Sequence, residues 1–130
     1  MRKILLLLIL TFNFVTFATS FNKSDYKEWT CTEVEAKGAF NSGKKIKVEA
    51  YVINIKGKQV LLGDHGSSAF WAKFTEQDAE LLAKLKGSAY NGFQGQADYY
   101  GTIELDKYDD PVLRIEHIIP YSDDYKKYAH

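Results

Sequence analysis

Lys45-Ile46-Lys47-Val48-Glu49-Ala50-Tyr51-Val52 decides how this chain is read. Ile46, Val48, Ala50 and Val52 alternate with Lys45, Lys47, Glu49 and Tyr51, the period of two that marks a half-buried strand. The strand starts at Lys44 and runs on to Ile55. Outward from it, Lys56-Gly57-Lys58 makes a tight turn into a short second strand, Gln59 to Leu62. Gly63-Asp64-His65-Gly66-Ser67 is a loop by its turn residues. In the third strand Phe70, Ala72 and Phe74 share one face, and Ala69, Trp71 and Lys73 share the other.

Beyond Phe74 the period changes. Thr75 with Asp78 three residues on has the spacing of a capping box. Ala79, Leu82 and Leu85 or Lys86 follow helical spacing, and Gly87 stands where a helix-ending glycine belongs. A glycine-punctuated strand from Ala89 to Ala97 comes next, then a short segment from Thr102 to Leu105. A turn over Asp106 to Pro111 leads into a last strand, Val112 to Ile119. Working back from Lys44, residues 21–43 are polar and weakly periodic. They read as a leader with a short helix near Glu33 to Lys37, closed by the turn Asn41-Ser42-Gly43. Residues 122–130 read as a polar, frayed tail.

Three strands, a helix and two further strand regions predict a mainly β domain over residues 44–121. Its form is a five-stranded OB-type barrel with one α-helix between strands three and four. The stretch Lys45 to Tyr121 resembles the small exported bacterial OB domains described as tRNA-anti-like or BOF-like. The long first strand Ile46 to Ile55, the helix ending Leu82-Ala83-Lys84-Leu85-Lys86-Gly87 and the return strand ending Ile118-Ile119-Pro120 carry that resemblance. It implies the fold and leaves the ligand open, because a shared fold does not transfer function.

The first twenty residues read as a signal peptide. Arg2 and Lys3 precede the apolar run Ile4 to Leu10, and Ala18-Thr19-Ser20 places small residues before a cut at Phe21. Thr11, Asn13 and Thr16 dilute the run below what a membrane span needs. The expected location is therefore periplasmic or secreted, with no stable membrane insertion after cleavage. Cleavage removes two of 17 basic residues and none of the 17 acidic ones, leaving a charge of −2. Such a balance gives no general attraction to polyanions. A single cysteine, Cys31, excludes an internal disulfide and reads as a buried thiol.

No catalytic set stands out, and no cofactor or metal site is expected. A secreted calcium-dependent nuclease of similar architecture needs two arginines to clamp phosphate, and the mature chain holds only Arg114. Asp64-His65-Gly66-Ser67 reads as a polar turn before it reads as a triad. Asp106, Asp109 and Asp110 crowd one turn without EF-hand order and with Lys107 among them, so they read as a solvated acidic turn. A metal-dependent hydrolase using that loop is the alternative function. His117, between Ile115 and Ile119, reads as a core histidine with a hydrogen-bond partner.

The remaining signal is a surface. Tyr51 and Trp71 point outward beside Lys47, Lys56, Lys58 and Lys73, which predicts an aromatic platform with a basic rim. The expected function is a non-enzymatic binding module. Its ligand would be an oligosaccharide, a peptide or an envelope protein, with single-stranded nucleic acid last. A fold-back of residues 21–43, Trp29 and Phe40 included, over this face is the competing reading. Lys37 to Lys58 holds six lysines against Glu49, and Asp98 to Asp124 holds eight acids against Lys107 and Arg114. That split makes a self-associating homodimer a further alternative.

Overall fold

The computed structural model describes residues 21–130 apart from Ser67 and residues 89–91. The signal peptide expected over residues 1–20 and the first residues of the strand expected from Ala89 lie outside the described residues. Six strands form, β1 Lys27–Trp29, β2 Lys45–Lys56, β3 Gln59–Gly63, β4 Ala69–Lys73, β5 Gln96–Leu105 and β6 Pro111–Pro120. Two helices, α1 Cys31–Lys37 and α2 Ala79–Gly87, join them. The strand order is β1-β2-β3-β4-β6-β5, and a further β2–β5 pairing closes five of the strands into a ring. β4 and β6 run parallel, and the other ring pairs are antiparallel.

The alternation in β2 does what its period requires. Ile46, Val48, Ala50 and Val52 are buried, and Lys47 and Tyr51 keep partial exposure on the outer side. At Ile53 the pairing with β3 slips from Val52↔Leu62 to Asn54↔Leu61. This bulge leaves Ile53 exposed and returns Ile55 to the core. A second slip sets Tyr100 opposite His117 but Gly101 opposite Ile115, so Glu116 is the extra residue.

The structure corrects several sequence expectations. Among the described residues there are six strands rather than five, and the short helix expected near Glu33 to Lys37 is α1, a capped helix of the domain, because residues 21–43 fold into the same sheet and core. β1 runs parallel to β2 over Ile46–Val48, on the edge that β3, paired from Tyr51 onward, does not reach. α1 begins with a full capping box, Thr30 Oγ1 accepting from the Glu33 N–H while Glu33 accepts from the Thr30 N–H. Thr75 makes no side-chain cap bond. The box was expected at the wrong threonine because Asp78, one methylene shorter than Glu, does not return the bond. Gly87 lies inside α2, and Ser88 ends the helix.

The strand expected from Ala89 to Ala97 is a 3₁₀ turn over Gly92–Gly95, and β5 begins only at Gln96 and runs unbroken through the segment expected from Thr102 to Leu105, the β6 bulge falling between its Tyr100 and Gly101 pairs. The same bulge takes His117 out of the core, where its ring stacks on Phe21 at a centroid distance of 4.1 Å. Partial burial holds the His117 imidazole below its ordinary value. At the C-terminus Asp123–Tyr128 forms a 3₁₀ helix, and Tyr125, Tyr128 and Ala129 pack on the core.

Candidate ligand-binding clefts

Of the six residues expected to form the platform, two lysines are spoken for. Lys47 lies between β1 and β5, 3.1 Å from Glu28 Oε1 and 3.6 Å from Asp98 Oδ1, with 18% of its side chain exposed. Burial opposes its charge, but those carboxylates more than offset it and raise the ammonium pKa. Lys73 lies 3.3 Å from Glu104, whose other oxygen takes the Arg114 Nε–H at 2.6 Å. Arg114 continues to Glu116, which accepts from Tyr26 and Thr102. The Arg114 hydrogen bond holds the Glu104 carboxyl below its usual range. Each exposed pair contributes little, about 0–1 kcal/mol, but together they cancel the basic rim. Lys56 and Lys58 sit at the exposed β2–β3 turn and enter no ion pair among the described residues.

Tyr51 and Trp71 both face outward but do not share one flat surface. Tyr51 lies in one register row with Gly63 and Ala69, whereas Trp71 is aligned with Leu61 and Val112. Each aromatic lines its own cleft, and α1 contributes Cys31 and Glu33 to one and Glu35 to the other. The first, about 330 Å³, is lined by Glu28, Trp29, Thr30, Cys31, Glu33, Glu49, Ala50, Tyr51, Asp64 and Gln96. The second, about 380 Å³, is lined by Glu35, Ala69, Phe70, Trp71, Asp110 and Pro111. Among the described residues neither lining contains a lysine or an arginine.

The walls of the first cleft are held by specific bonds. Tyr121 donates to Glu49, and its hydroxyl lies 2.8 Å from Asp98. Burial, followed by the hydrogen bonds to Glu49 and Asp98, pushes the Tyr121 phenol well above its ordinary value. Asp64 Oδ1 accepts the backbone N–H of Gly66 at 2.9 Å and of Ser68 at 3.4 Å, which shapes the β3–β4 loop as an Asx turn. The Tyr51 and His65 rings lie 4.1 Å apart. The Cys31 thiol donates to the Glu49 carbonyl at 3.4 Å. Burial, reinforced by Asp64 and Glu35, pushes that thiol up to about 12, so it is no nucleophile at neutral pH. In the second cleft Glu35 Oε1 accepts the Ala69 N–H at 2.7 Å.

Sequence reasoning placed Tyr51, Glu49 and Trp71 outward and missed the other acids around the two rings. Those acids come from β1, α1, the β3–β4 loop and the β5–β6 turn, which are remote along the chain. The Thr30-x-x-Glu33 spacing was the one local signal that residues 21–43 carry structure. Ser67 of the Asp64–Ser67 loop lies outside the described residues. In the acidic turn Asp106 accepts the N–H groups of Tyr108 and Asp110. No group of three His, Cys, Asp or Glu side chains that could hold a metal ion occurs among the described residues.

No family model matches the chain, and no curated protein matches its sequence. Solved structures do. The telomere capping protein Ten1 from Saccharomyces pombe is similar at 15% identity and a TM-score of 0.50, over 75% of this chain and 83% of that one. The hypothetical protein ygiW from E. coli is similar at 11% identity and a TM-score of 0.50, over 77% and 96%. OBody AM1L10, bound to hen egg-white lysozyme, is similar at 13% identity and a TM-score of 0.51, over 82% and 99%. The architecture they share with this chain is the OB fold.

Proposed function

We propose that this chain is an exported, non-enzymatic binding module of the small bacterial OB-barrel type, with Tyr51 and Trp71 as its contact aromatics. The observation that carries the reading is that each of these two rings keeps partial exposure and lines a concave cleft on the outer side of the strand ring. Large aromatics held in that way recur at binding surfaces. The similar OBody was solved bound to lysozyme and Ten1 is a telomere capping protein, which supports macromolecular recognition by this fold. Lys56 and Lys58 edge the surface, while Lys47 and Lys73 hold carboxylates in place. Peptides, envelope proteins and oligosaccharides fit such clefts, and the carboxylates lining them repel a nucleic-acid backbone.

The test is a binding screen of the purified protein against peptide, cell-wall oligosaccharide and oligothymidine panels. Tyr51→Ala and Trp71→Ala are expected to weaken the best binder by about tenfold or more, with unchanged circular dichroism. Undiminished affinity in both variants would remove these aromatics from the surface.

A further inference from the structure

We propose that the two clefts lined in part by α1 take two cationic side chains, lysine or arginine, from one basic polypeptide segment of a partner protein. This rests on the binding-module reading and fixes its ligand class. Charge is the first argument. In the first cleft Lys47 pairs with Glu28 and Lys37 with Glu33, while Glu49 and Asp64 enter no ion pair among the described residues. In the second cleft Glu35 and Asp110 likewise enter none. Two carboxylates with no ion pair among the described residues thus line each concave site, and each site also holds an aromatic ring. Carboxylates beside a ring face recognise ammonium or guanidinium groups through ion pairing and cation–π attraction together.

Hydrogen-bond polarity is the second argument. Glu28, Glu33, Glu49 and Asp64 bring carboxylate oxygens to the lining of the first cleft. Acceptors dominate the polar lining, and lysine and arginine bring donors only.

Spacing is the third. Tyr51, Gly63 and Ala69 stand in one register row across β2, β3 and β4. Two strand spacings cover about 10 Å, and the two residues from Ala69 to Trp71 add about 7 Å along β4, placing the aromatics about 12 Å apart. An extended segment presents residues i and i+4 on one side about 13 Å apart. Two cationic residues separated by three others therefore reach both clefts. Between the clefts the bulge sets Ile53, 40% exposed, against Gly63, an apolar saddle for the intervening residues.

The test uses a fluorescein-labelled peptide, Lys-Ala-Val-Ala-Lys, with an adjacent-lysine isomer, a glutamate counterpart and oligothymidine as comparators. E49Q with D64N, and E35Q with D110N, neutralise the two carboxylates of each cleft that enter no ion pair, while keeping the oxygens that accept from Tyr121, Gly66 and Ala69. Each pair is expected to weaken the spaced-lysine peptide about tenfold at low salt. E76Q with E80Q, the same charge change at exposed positions near the start of α2, is expected to leave binding unchanged. The adjacent-lysine isomer is expected to bind more weakly, and the acidic comparators not at all.

Equal weakening by the E76Q/E80Q control would overturn the proposal, as would absent binding of the spaced-lysine peptide. If that peptide fails while Trp71→Ala still abolishes capture of a neutral binder, the cationic class falls and the binding surface stands. If the peptide binds but neither Tyr51→Ala nor Trp71→Ala weakens it, both readings fall.

Discussion

The chain's two tryptophans are expected to respond oppositely to truncation, and the contrast tests whether residues 21–43 belong to the fold. Trp29 is 4% exposed, sits in the three-residue strand β1 opposite Val48, and belongs to the same core cluster as the ring strands. The ammonium groups of Lys44 and Lys37 lie 5.6 and 6.0 Å over its ring. Trp29→Ala leaves a cavity in that core at a cost of about 3–5 kcal/mol. That is a large part of the roughly 5–15 kcal/mol total of an ordinary domain. With a urea slope near ~1.5 kcal/mol/M, the midpoint should fall by about 2–3 M. Trp71, half-buried on the outer face, gives up about half of a full burial energy at most, roughly 1.5 kcal/mol, and moves the midpoint by about 1 M or less. Urea titrations followed by far-ultraviolet circular dichroism measure both. In Trp71→Phe protein, the remaining Trp29 emission should be that of a buried indole. A Trp29→Ala midpoint within about 0.5 M of the parent's would show that residues 21–43 are an appendage, and the first cleft would lose its wall.

Four further outcomes are expected. Gly87, exposed within α2 with open space around it, should accept alanine with a gain of about 0.5–1 kcal/mol. At Gly101 a Cβ collides with the Arg114 carbonyl, and Gly101→Ala should cost about 1–3 kcal/mol. Thermal melts read both, and a loss at Gly87 would restore it as a left-handed helix end. The Cys31 thiol, pushed up to about 12, should ignore Ellman's reagent at pH 8 until urea unfolds the chain. A fast native reaction would contradict its burial. Burial raises the Asp78 carboxyl, against the weaker pull of His130 and His117, so the proton favours the folded state. That stabilisation is full below the ordinary carboxylate value and is lost as pH rises through the raised one. Asp78→Asn should therefore melt above the parent at pH 7 and with it near pH 3, and a lower melt at pH 7 would refute the sign.

The parts of the fold legible in sequence were those whose pattern repeats within one element. β2 shows its buried face over four alternate residues, and even its bulge is written in the parity change from Val52 to Ile53 and Ile55. Within residues 21–43 the short helix near Glu33 to Lys37 is legible, but its start at Cys31 and the strand β1 are not. A three-residue strand is too short to display a period, and only Val34 follows Cys31 on the buried side of a seven-residue helix. Glu116 escaped notice because one inserted residue shifts the alternation of β6 midway and leaves His117 on the face opposite to the one its neighbours suggested. For the clefts, the outward direction of Tyr51 and Trp71 followed from parity. The sign of their surroundings did not, because no periodicity along β2 or β4 specifies what packs beside them.

Charge counted along the chain misleads for a physical reason. The lysine-rich stretch from Lys37 to Lys58 is basic as a string, but a field sums over space rather than over sequence. Cross-strand pairing sets Lys47 between Glu28 and Asp98, Lys73 against Glu104, and Lys37 one helical turn from Glu33. Once these cations are cancelled, the charge lining the clefts is carboxylate. β1 and α1 make this happen twice over, since Glu28 neutralises Lys47 while Glu33 and Glu35 line the two clefts. The N-terminal segment that adds Trp29, Cys31 and Val34 to the core therefore also sets the charge beside the clefts. A variant that detached it would remove the Glu28 partner of Lys47 and unwall the Tyr51 cleft. Core stability and cleft charge are in this way tied to one segment, residues 21–43.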